Sequence, residues 1–302
     1  MVETQFIQLD HGTTLECRVS GTAGRPVLMF LHGFPEGAFI WDALLAHFAH
    51  PDHGGYRCVA PYLRGFGSSS SPLQVDQYRA KHLVQDIAAL IDVESPSGTL
   101  ECLVAHDWGG AVAWNLANQQ PHRMRRLAIV NSPHPGAFVR ELQHNAAQQA
   151  GSQYMHFLCR PDAESLLAED DFRRLFAFFN APDGSAPAWL SEPVRAQYRA
   201  LWQAGLTGAC NYYRASPLRP PRDGDPGAQA LSLPDAMLTV DVPTLVLWGM
   251  DDPALLPGLL DGLPGWIPQL QLRQIPGASH WIVHEHPDRV LGELAQFLLQ
   301  IK

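Results

Sequence analysis

Leu103-Val104-Ala105-His106-Asp107-Trp108-Gly109-Gly110 is the stretch whose reading decides how this chain folds. Residues 99–105 are mostly apolar and stop abruptly at a histidine, an acid, a tryptophan and two glycines, with Ala111-Val112-Ala113-Trp114 following. The pattern reads as a buried strand, a tight turn, and a helix that small residues allow to pack closely. Small-x-nucleophile-x-small is the spacing of a nucleophile elbow: the turn lifts one side chain above the sheet, and only small neighbours tolerate the crowding. The lifted residue here is Asp107, not a serine or a cysteine.

Upstream of the elbow, residues 26–31 form a continuous apolar run, the mark of a strand buried on both faces, ending at His32-Gly33-Phe34-Pro35-Glu36. Residues 56–60 read as another short strand. Residues 5–9 and 14–19, around His11-Gly12, predict an opening hairpin. Arg64-Gly65-Phe66-Gly67 and the serines after it predict a surface turn, because these glycines are not in phosphate-binding register between a strand and a helix. Leu83, Ile87, Leu90 and Ile91 recur at helical spacing, which predicts an amphipathic helix over about 78–92.

Downstream, a helix stops near Pro121 and residues 127–130 are the next buried strand. Strand alternating with helix implies an α/β class, with a mostly parallel central sheet flanked by helices. From 135 to 235 the rhythm changes to helical stretches alone. Phe138, Leu142, Tyr154, Phe157 and Leu158 sit in the first, and Leu166, Leu167, Phe172, Leu175 and Phe176 in the second. Ser191-Glu192-Pro193 predicts a helix start, with a capping serine and a proline in the first turn. A Pro/Gly-rich run, 217–234, closes the segment. The expected organisation is a core domain of residues 1–134 and 236–302 and an inserted helical cap of residues 135–235. Strands resume at 243–248 and 270–275, and a helix over 287–300 ends the chain.

The chain has 302 residues, a formal charge of −9 and 46% apolar residues, ordinary for a soluble globular enzyme. The negative charge argues against nucleic acid or an anionic membrane as partner. Cys17, Cys58, Cys102, Cys159 and Cys210 are scattered, with no C-x-x-C pair and no zinc spacing. They read as buried free thiols of a reducing, cytoplasmic compartment. No charged-then-apolar leader follows Met1, and no apolar run approaches the roughly 18 residues that span a bilayer.

Functional side chains of an open parallel sheet gather at the carboxyl ends of its strands. Four such ends carry suggestive chemistry: His32-Gly33-Phe34-Pro35, Asp107, Asp252 and His280. The chain order acid nucleophile, acid, histidine is that of the α/β-hydrolase fold. On these residues the chain resembles α/β-hydrolase fold epoxide hydrolases over nearly its full length. His32 to Glu36 is similar to their HGxP motif, and His106 to Gly110 to their nucleophile motif. Trp248-Gly249-Met250-Asp251-Asp252-Pro253 resembles the strand end with the acid, and Gly277-Ala278-Ser279-His280-Trp281 the histidine loop. Ser152-Gln153-Tyr154-Met155 and Asn211-Tyr212-Tyr213-Arg214 resemble the two ring-opening tyrosine motifs. Gln153 and Tyr212 stand where the family often has Trp, Ala105 replaces a possible glycine, and Tyr62 stands where many relatives have Asp.

The resemblance implies an epoxide opened to a vicinal diol through a covalent ester on Asp107. A free aspartate has a pKa of about 3.9, so it is already ionised at neutral pH and attacks an sp3 carbon without a base. His280, oriented by Asp252, would activate the water that hydrolyses the ester. Backbone N–H groups of Phe34 and Trp108 would hold the oxyanion, and the same two residues would line the substrate site. An alkoxide is a basic leaving group and needs a proton, which the phenols of Tyr154 and Tyr213 would supply. No metal or organic cofactor is called for. The expected partners are water and a small, apolar epoxide.

The rival is a haloalkane dehalogenase using the same aspartate, although that family usually has Asn or Trp where Phe34 stands. The G-x-x-D register favours Asp252 over Asp251, which would then be a loop carboxylate. Tyr212 reads as packing, and His32 and His106 as structural hydrogen-bonders. Glu36 reads as the start of the next helix, and His284-Glu285-His286 as a solvated loop or helix start.

Overall fold

A computed structural model describes residues 1–181 and 183–300. Among them are eight strands: β1 (Glu3–Gln8), β2 (Thr14–Ser20), β3 (Val27–Leu31), β4 (Arg57–Pro61), β5 (Cys102–His106), β6 (Leu127–Val130), β7 (Thr244–Gly249) and β8 (Leu270–Ile275). They form one sheet in the order β1-β2-β4-β3-β5-β6-β7-β8. β1 pairs antiparallel with β2, and β2 with β4; every other pairing is parallel. The sheet is therefore mostly parallel, as the alternating pattern implied. Every residue of β3 to β7 is buried. Successive strand residues point to opposite faces, so burial without alternation means that both faces are covered. β1 and β8 are the edges, and their partial exposure explains why their sequence patterns are less regular.

Outside the segment between β6 and β7, the longer helices are α1 (Asp42–Ala49), α2 (Ala80–Glu94) and α3 (Asp107–Gln119), with α12 (Pro287–Leu299) at the end. The sequence pattern did not single out α1. It is eight residues long and buries only Leu44, Leu45 and Phe48, too few turns to show a period.

Between β6 and β7 no strand forms among the described residues. Helices α4 (Pro135–His144), α5 (Ala146–Gly151), α6 (Tyr154–Leu158), α7 (Ala163–Ala177), α8 (Glu192–Gln203) and α9 (Thr207–Ala215) follow one another. The first expected helical stretch is thus three pieces. Asn145 stops α4 and caps α5, its side chain accepting from the Ala147 and Gln148 N–H groups. The second stretch is kinked: Asp170, Asp171 and Phe172 all have positive φ. Ser191 does stand at the N-cap of α8, but its hydroxyl makes no capping bond. Short helices α10 (Leu263–Trp266) and α11 (Ile282–Glu285) precede α12. No described helix is long and apolar enough to cross a membrane. All five cysteines are free, and all but Cys159 are buried.

The insertion is fastened to the strand-end loops by directed bonds. Trp202 Nε1 on α8 donates to Pro35 O at 2.7 Å, and Tyr212 Oη on α9 to Arg64 O at 3.0 Å. From the other side, Trp281 Nε1 donates to Phe178 O at 3.0 Å.

Candidate active site

β5 turns directly into α3 at Asp107, whose φ is +49°. Left-handed backbone is uncommon for a residue with a Cβ and persists where the surroundings over-determine it. Those surroundings are crowded. A Cβ on Gly109 would lie 2.6 Å from His32 O, and one on Gly110 would lie 2.3 Å from the Ser132 side chain. A Cβ on Gly33 would lie 2.2 Å from Asp107 Oδ1, so glycine there lets the carboxylate reach the 32–36 loop. The Phe34 N–H donates to Asp107 Oδ1 at 2.7 Å. Ser132 Oγ donates to the Asp107 main-chain carbonyl at 2.7 Å. Trp108 is the second residue of α3, where a backbone N–H has no acceptor within the helix.

The second carboxylate oxygen, Asp107 Oδ2, faces His280 Nε2 at 3.7 Å, beyond direct hydrogen bonding. His280 Nδ1 meets Asp252 Oδ2 at 2.6 Å; the carboxylate can only accept, so Nδ1 carries a proton. Asp252 is buried at the end of β7, whereas Asp251 is exposed. Asp252 Oδ2 also accepts from Asn131 Nδ2 at 2.8 Å, and Asp252 Oδ1 from the Ala254 and Leu255 N–H groups at 2.8 and 2.9 Å. Burial opposes its ionisation, but the His280 charge and these bonds hold its pKa below the usual range. Burial also works against the His280 imidazolium. Asp252 outweighs that, Asp107 and Glu36 add to it, and the pKa stands at about 9.

Tyr154 and Tyr213 come from α6 and α9. The Tyr213 ring meets Phe34 edge-on at 5.3 Å and Trp108 at 5.1 Å, and lies 6.0 Å from Tyr154. Burial, followed by Asp107 and Asp252, pushes the Tyr154 phenol up. Burial, followed by Tyr154 and Asp107, does the same for Tyr213. Both phenols remain protonated donors throughout the neutral range. A cavity of about 670 Å³ starts at Asp107, Trp108 and Tyr154 and runs between apolar walls such as Val112, Phe138 and Leu255. Tyr212 lines the wall with its hydroxyl turned to Arg64 O, in keeping with a packing role.

Sequence reasoning missed a buried cluster behind His280. Glu36 does not begin a helix; it is fully buried among two histidines and a tyrosine. Its Oε1 lies 2.6 Å from His284 Nε2 and accepts from Tyr198 Oη at 2.8 Å. Its Oε2 stands 3.1 Å from His106 Nδ1, and neither atom has another partner. His106 Nε2 in turn meets the His280 carbonyl at 3.0 Å. Burial disfavours the Glu36 carboxylate, but His284 and His106 overcome it and hold its pKa below the usual range. His284 lies in the short helix α11, in keeping with the helix half of its sequence reading, but its ring is turned to Glu36 and not to solvent; no metal-ligating group of three occurs among the described residues. The only sequence signal was three titratable side chains, His32, Glu36 and His106, crowded at two neighbouring strand ends. Asn131 was missed too. It is buried, has φ +36°, and accepts from the Gly249 N–H at 2.9 Å while donating to Asp252.

Residues 26–287 match the family model for the alpha/beta hydrolase fold. The chain is 31% identical over 300 residues to the AB hydrolase superfamily protein YfhM of Bacillus subtilis, covering 98% of each chain. It is 32% identical to epoxide hydrolase 3 of Xenopus tropicalis over 96% of this chain and 76% of that one. The crystal structure of Bacillus megaterium epoxide hydrolase in complex with an inhibitor superposes with a TM-score of 0.85 at 28% identity, covering 97% of this chain and 99% of that one. The chain belongs to the α/β-hydrolase fold epoxide hydrolase family. Its departures from the pattern of that family fall outside the Asp107–His280–Asp252 contacts. As an epoxide hydrolase family member it carries Ala105 fully buried within β5, Tyr62 buried below the 65–67 turn, and Gln153 on the exposed side of the insertion.

Proposed function

We propose that this chain hydrolyses epoxides to vicinal diols through an ester on Asp107. The supporting observation is the division of labour between the two Asp107 oxygens. Oδ1 is held by the Phe34 N–H, and Oδ2 is left facing His280 and the space below the insertion. Oδ2 attacks a ring carbon while Tyr154 and Tyr213 hydrogen-bond the departing oxygen and one of them gives it a proton; a C–O bond of the ring breaks as the ester C–O bond forms. The ester removes the Asp107 charge, one of those that raise the His280 pKa, so the imidazole becomes a better base once the ester exists. His280 then takes a proton from water, which attacks the Asp107 carbonyl carbon; the tetrahedral intermediate collapses as its C–O bond to the substrate breaks, the diol leaves with the proton from His280, and the proton shed by the regenerated Asp107 carboxyl returns to the phenolate through solvent. Asp252 stabilises the imidazolium, and the Phe34 and Trp108 N–H groups the oxyanion, where one donor is worth about 10²–10³ in rate. In this reading residues 135–235 are a cap that supplies the proton donors, residues 1–134 and 236–302 supply the nucleophile and base, and the free thiols fit a cytoplasmic setting.

The test is intact-mass spectrometry of His280→Gln mixed with epoxides and haloalkanes. An adduct carrying the whole mass of an epoxide, mapped to Asp107, is the expected result. An adduct from a haloalkane that has lost its halide would make the chain a dehalogenase instead.

A further inference from the structure

β6 ends at Val130, and the two residues after it reach both acids of the site. Ser132 Oγ donates to the Asp107 main-chain carbonyl at 2.7 Å, and Asn131 Nδ2 to Asp252 Oδ2 at 2.8 Å. Asn131 is fully buried, and its amide has one possible orientation. The Gly249 N–H can only donate and the Asp252 carboxylate can only accept, so Oδ1 faces the first at 2.9 Å and Nδ2 the second. Its backbone is fixed as well: the Asn131 N–H donates to Leu247 O of β7 at 3.0 Å, and φ is +36°. Asparagine visits that region more readily than most residues with a Cβ. The side chain thus ties the end of β6 to the end of β7 and to the acid. The end of β7 in turn lies against the histidine loop, since a Cβ on Gly249 would stand 2.3 Å from Ser279 O.

Asp252 Oδ1 is taken by two backbone N–H groups, and Oδ2 is shared between His280 Nδ1 and Asn131 Nδ2. Asn131 therefore acts on the same oxygen that holds the imidazole. Apart from His280, it is the only side chain among the described residues that hydrogen-bonds this carboxylate. A donor on a carboxylate oxygen lowers its affinity for protons. Burial works against the Asp252 carboxylate, His280 outweighs it, and Asn131 adds to the effect. With that donor in place, Oδ2 pulls less strongly on the Nδ1 proton, and the His280 imidazolium is less stabilised. Other titratable groups also face the ring: Asp107 at 3.7 Å from Nε2, His106 with its ring centroid 4.7 Å away, and Glu36. From the insertion, Tyr154 lies near Asp107 and Asp252. Asn131 hydrogen-bonds none of these four, so a change at position 131 reaches His280 through Asp252.

We propose that Asn131 is a positioning residue of ester hydrolysis: through Asp252 Oδ2 it turns the acid toward His280 Nδ1 and limits how tightly the imidazole keeps its proton. The inference rests on the epoxide reading above. Asn131→Gly tests it, because glycine takes a positive φ without strain and removes the amide. Asn131→Ser, whose hydroxyl is too short to reach both partners, carries the same test if the glycine variant does not fold. With isotope-labelled histidine, NMR reads the His280 titration in the resting proteins. It should move up by about 0.5–1 unit in the variants, part of the 1–3 units that an opposite charge is worth. In single turnovers of styrene oxide, the rising limb of ester hydrolysis against pH should move up equally, which on that limb slows hydrolysis about three- to tenfold. Above the limb the rate should return to within about twofold of the wild type, and ester formation at neutral pH should keep its wild-type rate. Hydrolysis that slows equally at every pH, with the limb in place, is what misplacement alone produces and overturns the proposal. A His280 titration that does not move overturns it as well, whatever the turnover. A titration that moves in a protein forming no ester keeps the role of Asn131 and loses the epoxide reading instead.

Discussion

At the strand ends, Asp107, Asp252 and His280 are each held by hydrogen bonds of 2.6–2.9 Å, several from backbone N–H groups. Across the cavity, Tyr154 and Tyr213 hydrogen-bond each other, Tyr213 also meets Trp108, and their rings pack edge-on against neighbours with centroids 5.1–6.0 Å apart. The first kind of restraint is directional and is set by a sheet whose strands cannot slide. The second rests more on ring packing, which tolerates rotation and small shifts. In the proposed mechanism the halves divide the work: the sheet half carries the nucleophile and the base, and the insertion carries the proton donors.

The comparison breaks first at Asp107. Asp107→Ala should lower diol formation by about 10⁴-fold or more, the usual cost of removing a nucleophile, in a protein whose circular dichroism is unchanged. A loss of less than tenfold would put the chemistry elsewhere. Next come the phenols. Tyr154→Phe and Tyr213→Phe should each slow ester formation by about 10²-fold, as loss of a general acid does, while leaving ester hydrolysis alone. Rapid-quench single turnovers separate the steps. Slowing of both steps alike would mean that the insertion also holds the sheet half in place.

A smaller effect concerns stability. The folded-state pKa of His280, about 9, exceeds the ordinary 6.5. Its contribution is therefore fully present below pH 6.5 and is lost as pH rises through 9, up to about 3 kcal/mol in all. Denaturant titrations of the wild type should show that decline relative to His280→Gln, and parallel curves would remove the ion pair. The smallest effect sits where the halves join. Trp202→Phe removes the bond to Pro35 O, about 1 kcal/mol, and should lower the melting temperature by a few degrees with little change in the rate of ester hydrolysis.

Much of this was legible in the sequence because a strand end is local. The run 99–105 stops at Asp107, and the glycines after it announce the turn whose crowding the structure displays at His32 O and Ser132. Asp252 was preferable to Asp251 on spacing alone, and only Asp252 is buried against His280. Glu36 was misread for the opposite reason. Its partners are Tyr198, His106 and His284, which lie between 70 and 248 positions away in sequence. Nothing in the five residues around it distinguishes a helix start from a buried carboxylate. The breaks in the insertion were hidden as well, since Asn145 and the 169–172 kink interrupt apolar spacing that otherwise continues.

By itself, the sequence determined the order of the strands along the chain, the residues that stand at the carboxyl ends of those strands, and the presence of an aspartate where other elbows carry a serine. These follow from hydrophobic period, turn residues and residue type, all of which act over a few residues. The tertiary structure alone decided which oxygen of Asp107 is held and which is free, and where Glu36 finds its histidines. Those depend on ångström-scale distances between segments far apart in the chain, and the packing of the whole molecule sets them.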